Sequence, residues 1–448
     1  MESGTPRDEI TIVHPSRLDR VVDERTKVVG ITTSDPLGLG PASSTFSSLI
    51  RREPYTAYFF RELMSSKAVS SELTRVIVGG PGVWQLNGDA TMKAFGIDCL
   101  VEGEGELVAP KLFEDAIEGR PLPLRITGGP VPIDRVPESL GASINGTVEI
   151  SRGCGRGCEF CNPNMRSLRH IPLERILAEV KTNLFHSSKI TLHAEDVLRY
   201  KARGLVPNKE EVIRLFEETA KLTENLGMSH IALSSALSEP ALVEELADVF
   251  DSARKDSVVY AQTGIETGSP RLVDMHMKGK AKPFRPDEWP EVVRESFRLL
   301  SDNKWIVCGT LVMGMPGETR DDVAKTLELV QDLRQFKSLI VPLFFVPLGR
   351  MTDDDFFRPE AMQPEHWMLL AECIDHDFQW TQELMDDLFR QNRLSAAKSG
   401  LFRLASWYMH RRLRPYLEGM REGISPLKDA GHDQGQYDTP WQREGVEA

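Results

Sequence analysis

Apolar residues along this chain follow two rhythms. Up to about residue 119, short apolar runs at 10–13, 27–32, 75–78 and 99–101 have the length of buried strands, while 55–64 and 107–117 carry apolar residues at helical spacing. That alternation predicts an open parallel sheet. From residue 147 the pattern is more regular, with candidate strands at 147–151, 189–193, 230–234, 258–263, 306–313 and 339–346 and helical patterns between them. Six strand-helix units suffice for a partial barrel. Leu173, Ile176, Leu177, Val180 and Leu184 fall on one helical face, and Asn208 with Glu211, and Thr319 with Asp322, have capping-box spacing. These stripes read as core-facing surfaces.

Between the two regions Pro121, Pro123, Pro130, Pro132 and Pro137, with Gly128 and Gly129 among them, predict a linker over 120–143. The expected organisation is an α/β domain at 1–119, a barrel at 144–355, a helical region at 356–425 and a disordered tail at 426–448. The helical region ends in a basic, aromatic stretch with Phe402, Leu404, Trp407, Tyr408, Arg411, Arg412, Leu413 and Arg414. Two readings fit it: a helix packed across the barrel with wet arginines, or a face lying on a membrane surface.

With 40% hydrophobic and 27% charged residues, the 448-residue chain is globular in composition, which excludes a wholly disordered or fibrous protein. A net charge of -13 argues against bulk affinity for nucleic acid. The polar N-terminus lacks the apolar core of a signal peptide, and the longest apolar run, 339–348, is too short to span a bilayer and holds two prolines. A soluble, cytoplasmic protein with no transmembrane segment is expected. Six cysteines are too few for a disulfide scaffold, yet three crowd into eight positions. Clustered thiols in a reducing compartment point to metal.

Those three are Cys154, Cys158 and Cys161, spaced four and then three apart on a loop with Gly153, Gly155 and Gly157, which let the backbone wrap a bulky object. A 4Fe-4S cluster needs four ligands, so three cysteines leave one iron open to a small molecule. A structural zinc site would need a fourth ligand, and the nearest histidine, His170, lies off the loop. Cys99, Cys308 and Cys373 are scattered and read as buried hydrophobes.

The Cys154-x-x-x-Cys158-x-x-Cys161 spacing, with Phe160 before the last cysteine, resembles the cluster loop of the radical S-adenosylmethionine (SAM) enzymes. The resemblance implies that the open iron chelates S-adenosylmethionine and that one electron splits its sulfonium to give a 5'-deoxyadenosyl radical. It also implies an α/β fold class: an open parallel Rossmann-like sheet, a partial (β/α)6 TIM-type barrel with the loop after its first strand, and a helical C-terminal region. Polar or glycine-rich segments fall at the other expected strand ends, at 193–196, 234–235, 262–268 and 314–318. By resemblance Gly264 and Glu266 lie in the loop that contacts ribose and adenine, and Met315 to Thr319 resembles the strand-five loop. The usual Gly-Gly-Glu that contacts the amino group stands as His193-Ala194-Glu195, so Glu195 alone carries over. Ser234 is a further candidate cofactor contact. Glu195 or Glu266 could instead be a helix-start carboxylate facing backbone amides.

Residues 76–81 and 97–106, with Gly79, Gly80 and Gly103, resemble the second half of the cobalamin-binding domain often found ahead of a radical barrel. Residues 32–41 form another such loop. Cobalamin is the further cofactor this implies, and cobalamin-assisted methyl transfer or carbon-carbon bond formation on an unactivated carbon is the implied chemistry. The expected partners are a small-molecule or lipid substrate and a one-electron reductant, with no nucleic acid. Two rivals remain. Methylthiotransferases share the barrel but bring a second cysteine trio upstream and a basic RNA-binding module, where this chain has only Cys99 and a negative charge. A non-catalytic iron-sulfur protein would keep the cysteines but needs no nucleotide-contacting loop at 264–268.

Overall fold

Val28–Thr32 (β1), Arg75–Gly79 (β2), Cys99–Gly103 (β3) and Arg125–Gly128 (β4) pair in parallel in that order. In this computed structural model the described residues are 6–70, 74–161, 167–255, 257–391 and 396–427. They divide into two compact units after Pro137. In the first, Val76, Ile77 and Val78 are all buried because helices cover both sheet faces, the condition under which a strand reads as a continuous apolar run. Pro41–Ile50 (α1) begins on a proline, and Tyr55–Met64 (α2) and Asp89–Phe95 (α3) send Phe60, Met64, Met92 and Phe95 onto Val76, Val78 and Leu100. Ala109–Ile117 (α4) lays Leu112 and Ala116 on Ile77, Cys99 and Val101.

Two expectations for this unit are corrected. Residues 10–13 form no strand: Ile12 is 94% exposed and the segment joins no sheet among the described residues. The proline-rich stretch is not only a connection, since β4 lies between its prolines and pairs with β3 from Leu100 to Gly103. Four residues free of proline are enough for an edge strand.

The second unit holds two three-stranded parallel sheets. Thr147–Glu149 (β5), Ile190–His193 (β8) and Leu226–Met228 (β9) form one, with a two-residue hairpin, Ser151–Arg152 (β6) and Arg169–His170 (β7), beside it. Val259–Glu266 (β10), Trp305–Met313 (β11) and Leu339–Phe344 (β12) form the other. A parallel bridge from His230 to Gln262 joins them into one arc of six strands. The helices are Leu173–Leu184 (α5), Lys209–Ala220 (α6), Leu233–Ser238 (α7), Pro240–Ala253 (α8), Pro270–His276 (α9), Lys278–Ala281 (α10), Trp289–Asp302 (α11) and Arg320–Asp332 (α12). Asn208 caps α6 through Glu211 N–H, and Thr319 and Asp322 form a reciprocal box on α12. The run 230–234 is not a strand. The chain turns at Ala232, whose N–H donates to Asp196 (3.1 Å), and Leu233 to Ala236 are buried in α7, an ambiguity short apolar runs always carry.

Alternate strand residues Val259, Ala261 and Ile265 are buried, while Tyr260, Cys308 and Thr310 are half-buried and Gln262 is exposed. Pro364–Gln391 (α13) packs on α12 and β12, and Ala396–Arg421 (α14) packs along α13 rather than across the barrel strands. Residues 428–448, most of the expected tail, lie outside the described residues.

Candidate functional site

The cysteine loop leaves the end of β5 through β6, and its three glycines take left-handed conformations, φ 72° at Gly153, 67° at Gly155 and 73° at Gly157. Any side chain there would cost of order 1–2 kcal/mol, so the glycines set the path of the loop. Cys158 is buried, Cys154 and Cys161 are half-buried, and Phe160 is half-buried beside them. Burial pushes the Cys158 thiol up, and the cations of Lys280 and Arg156 pull it down.

Arg156, inside the loop, is its anchor. Its guanidinium donates to Asp196 Oδ2 (3.1 Å), to Ser235 Oγ (2.8 Å), and to the carbonyls of Gly279 and Lys282 (both 3.0 Å). Asp196 also accepts from Ser235 Oγ (2.7 Å), so a strand end, a helix and the loop share one charged network. Arg199 Nη1 donates to the Cys154 carbonyl at 2.5 Å. Two further glycines let other segments close on the loop: a Cβ at Gly279 would overlap the Arg156 carbonyl, and one at Gly349, itself at φ 66°, would overlap the carbonyls of Glu159 and Cys161. Glu159 adds a hydrogen bond from Arg350 N–H (2.7 Å) and contact with His276 Nδ1 (2.9 Å), and His276 Nε2 lies 2.8 Å from the Pro316 carbonyl.

Gly264 and Glu266 come together at the end of β10, where the register slips. Glu266 has φ 64°, and its Oε1 pairs with Lys280 Nζ at 2.7 Å, with 11% and 15% of the two side chains exposed. A Cβ at Gly264 would overlap that carboxylate, so the glycine makes room for the pair. Burial opposes the Lys280 ammonium and is the largest single influence, but the charges of Glu266 and Cys158 and the Glu266 hydrogen bond together outweigh it, and the net shift is upward. Ser234 is fully buried on α7 and donates to the Lys280 carbonyl (2.7 Å), which occupies its hydroxyl within the protein.

Glu195, after β8, has no hydrogen-bond or ion-pair partner among the described residues, and burial pushes its carboxyl up. Beside it the His193 and His230 rings meet edge to face at 5.9 Å, and burial lowers both imidazoles toward the neutral form. In the strand-five loop Glu318 Oε2 accepts from Gly314 N–H (2.6 Å) and meets His366 Nε2 (2.9 Å).

Residues 148–330 match the Radical SAM superfamily. The matched segment takes in the cysteine loop and the ends of β8, β10 and β11. Among relatives, a tRNA-2-methylthio-N(6)-dimethylallyladenosine synthase of Shewanella frigidimarina is 22% identical over 290 residues, 63% of this chain and 58% of the relative. The enzyme of the same name from Coxiella burnetii is 24% identical over 342 residues, 72% of this chain and 73% of the relative. The chain thus spans little more than half the length of the first of these. Among solved structures, the radical S-adenosylmethionine methyltransferase TsrM of Kitasatospora setae, with tryptophan and a SAM analogue bound, superposes with TM-score 0.55 at 17% identity, covering 75% of this chain and 66% of TsrM. TsrM with cobalamin and a 4Fe-4S cluster gives TM-score 0.53 at 16% identity, covering 75% of this chain and 65% of TsrM. This likeness concerns the fold alone: an α/β partial barrel.

Sequence reasoning missed Lys280, Gly279, Gly349, Arg156 and His276, whose partners range from 14 positions away, for Lys280 and Glu266, to 123, for Arg156 and the Gly279 carbonyl, and beyond. Gly349, two residues past a proline at a strand end, was the one visible signal. In the N-terminal unit, Gly80 at φ 98° lies against Thr33, Gly82 against Ser34, and Gly128 against Glu104. Those close approaches explain three glycines by packing alone. Gly79 has ordinary contact with Val101, Gly103 is left-handed at φ 77°, and Gly129 faces open space at the same sheet edge. Asp35 orders residues 32–41 by accepting from Gly40 N–H (2.9 Å) and Gln85 Nε2 (2.7 Å).

Proposed function

We propose that this chain is a radical SAM enzyme in which Cys154, Cys158 and Cys161 hold a 4Fe-4S cluster. The observation that carries this reading is the cysteine loop itself: three thiols on a glycine path, clamped from behind and faced by Arg156, Lys280 and Arg199. A cluster on three thiolates is anionic, and these cations suit it. When bound, it supplies an open iron for S-adenosylmethionine and the electron that splits the sulfonium.

The protein's own residues hold and orient. Glu195, unpaired and raised by burial, gains its ionised form when an ammonium is placed against it. Gly264 and the Glu266–Lys280 pair give the ribose-facing edge a fixed shape. His193, His230, Gln262 and Thr310 line the arc, so a substrate entering it meets neutral donors and acceptors. Confinement there keeps a reactive radical from water and from other partners.

Cobalamin on the N-terminal unit is part of the same reading, resting on Gly79 and Gly103 at the ends of β2 and β3, while packing already accounts for Gly80; TsrM, of similar fold, binds it. The reaction class is then methyl transfer or carbon-carbon bond formation on a small-molecule or lipid substrate, with a cellular one-electron reductant, in the cytoplasm and without nucleic acid. Among the described residues no helix is long and apolar enough to cross a membrane. A methylthiotransferase is the second reading, supported by the relatives' names. Against it, the only cysteine ahead of the loop in this chain is Cys99, fully buried with its thiol pushed up to about 11 by burial.

The test is anaerobic reconstitution with iron and sulfide, then dithionite and S-adenosylmethionine, with 5'-deoxyadenosine read by mass spectrometry. Product is expected from the native chain and none from Cys158→Ala. A native chain that binds iron but never yields product leaves an electron-transfer protein. Hydroxocobalamin absorbance retained through gel filtration tests the N-terminal unit.

A further inference from the structure

Helix α14 uses only one of its faces. Toward α13 it buries Ser406, Leu417 and Met420, sets Phe402 5.4 Å from Phe389, and stacks His410 on Phe378 at 4.6 Å. Arg403 and Arg421 face Asp386 and Asp375 on α13. The opposite face is bare. At about 100° per residue, Leu401, Leu404 and Tyr408 fall within a 60° strip, with Arg411 on one flank and Arg412 on the other. Leu401 is 68% exposed, Leu404 61% and Tyr408 57%, and Trp407 and Tyr416 extend the strip with half their surface in solvent.

The charge of this helix runs against that of the chain. Over Ala396–Arg421 six cations, Lys398, Arg403, Arg411, Arg412, Arg414 and Arg421, stand against Glu418 alone, in a protein of net charge -13. Two of the six are turned to α13. Arg411 lies over the Trp407 ring at 5.6 Å, Arg414 pairs with Glu418 at 3.0 Å, and Lys398 and Arg412 have no carboxylate partner among the described residues.

We propose that α14 is a membrane-surface helix that seats Leu401, Leu404 and Tyr408 in the headgroup region of an anionic bilayer, with its arginines on the lipid phosphates. Exposed leucines flanked by guanidinium groups, with Trp and Tyr at the border, match what an interfacial helix needs: apolar area to bury and cations for the surface potential. Nucleic acid would satisfy the arginines but gives Leu401 and Leu404 nothing to bury against. A symmetric pairing with a second copy would bring two cationic helices together. The surface is independent of the cluster, so it stands or falls apart from the proposed reaction.

The experiment floats the full chain with vesicles of phosphatidylglycerol and phosphatidylcholine, and with phosphatidylcholine alone. Binding is expected to the first and to be weak to the second. Each surface arginine contributes roughly a five-fold change in partitioning, so Arg411→Gln with Arg412→Gln should weaken it about 25-fold. Leu401→Ser with Leu404→Ser should weaken it at low salt too, where arginines alone would still hold. Quenching of tryptophan by brominated lipid should fall in Trp407→Phe, which tests insertion without relying on the other variants. No flotation with anionic vesicles at low salt overturns the proposal. So does tighter binding to unfractionated tRNA that vesicles do not displace, or a dimer in sedimentation that Leu404→Asp splits.

Discussion

Replacing Lys280 by Met strands a carboxylate. Glu266 is held at a left-handed turn of β10, its Oε1 is 2.7 Å from Lys280 Nζ, and only 11% of its side chain reaches solvent. Methionine fills much of the lysine stem, so packing changes little and the loss is electrostatic. Breaking one side of a buried pair costs about 3–5 kcal/mol, and the residual exposure here places the effect near the lower end, about 3 kcal/mol. At about 2.1 cal/mol/K of unfolding entropy per residue, the second unit then melts roughly 5 °C lower. Circular dichroism melting of the metal-free chain at pH 7.5 measures it, so the outcome does not depend on cluster loading. Lys280→Met combined with Glu266→Gln removes both charges and should recover most of the loss. A single variant that melts within about 2 °C of the native chain, or a double variant no better than the single, refutes the argument that the pair is buried and mutually dependent.

Other outcomes follow from the same geometry. Gly349→Ala should lose most bound iron after reconstitution while the N-terminal unit keeps its fold, because a methyl group overlaps the Glu159 and Cys161 carbonyls; iron and sulfide assays with limited proteolysis read both. Glu195→Gln should weaken S-adenosylmethionine binding roughly 10-fold or more, the value of one hydrogen bond to a charged group, by calorimetry on the reconstituted protein. Burial pushes Asp377 up to about 7, against the pull of the Ile340 N–H. Since its folded pKa lies above the unfolded one, its contribution is complete below about pH 4 and is lost as pH rises through 7. Asp377→Asn should therefore stabilise by about 1–2 kcal/mol at pH 8 and change little at pH 4, in urea titrations at the two pH values.

Much of this was legible in the chain. Residues 55–64 form α2 as the apolar spacing requires, and the Asn208 cap and the Thr319 capping box start helices where expected. The cysteine loop and Glu266 were visible because their chemistry is local: spacing, glycines, a strand end. What failed was also physical. Residues 230–234 have a strand's composition, but only His230 makes a bridge, and burial of Leu233 to Ala236 goes with a helix that starts at Leu233. β4 hid among prolines because an edge strand needs only one neighbour. Lys280 was invisible, since no local pattern marks a lysine whose partner is a bulged glutamate 14 positions earlier. The fate of the basic helix could not be read either, because amphipathic spacing does not say whether the second face is covered.

Arg156 sits between two of the cysteines and yet spends its bonds on the far side, on Asp196, Ser235 and the carbonyls of Gly279 and Lys282. A clasp of that kind keeps its outline when empty. On the proposed reading, a cluster lost to oxygen would be rebuilt by refilling that mould rather than by folding a new one, and repair becomes a matter of supply.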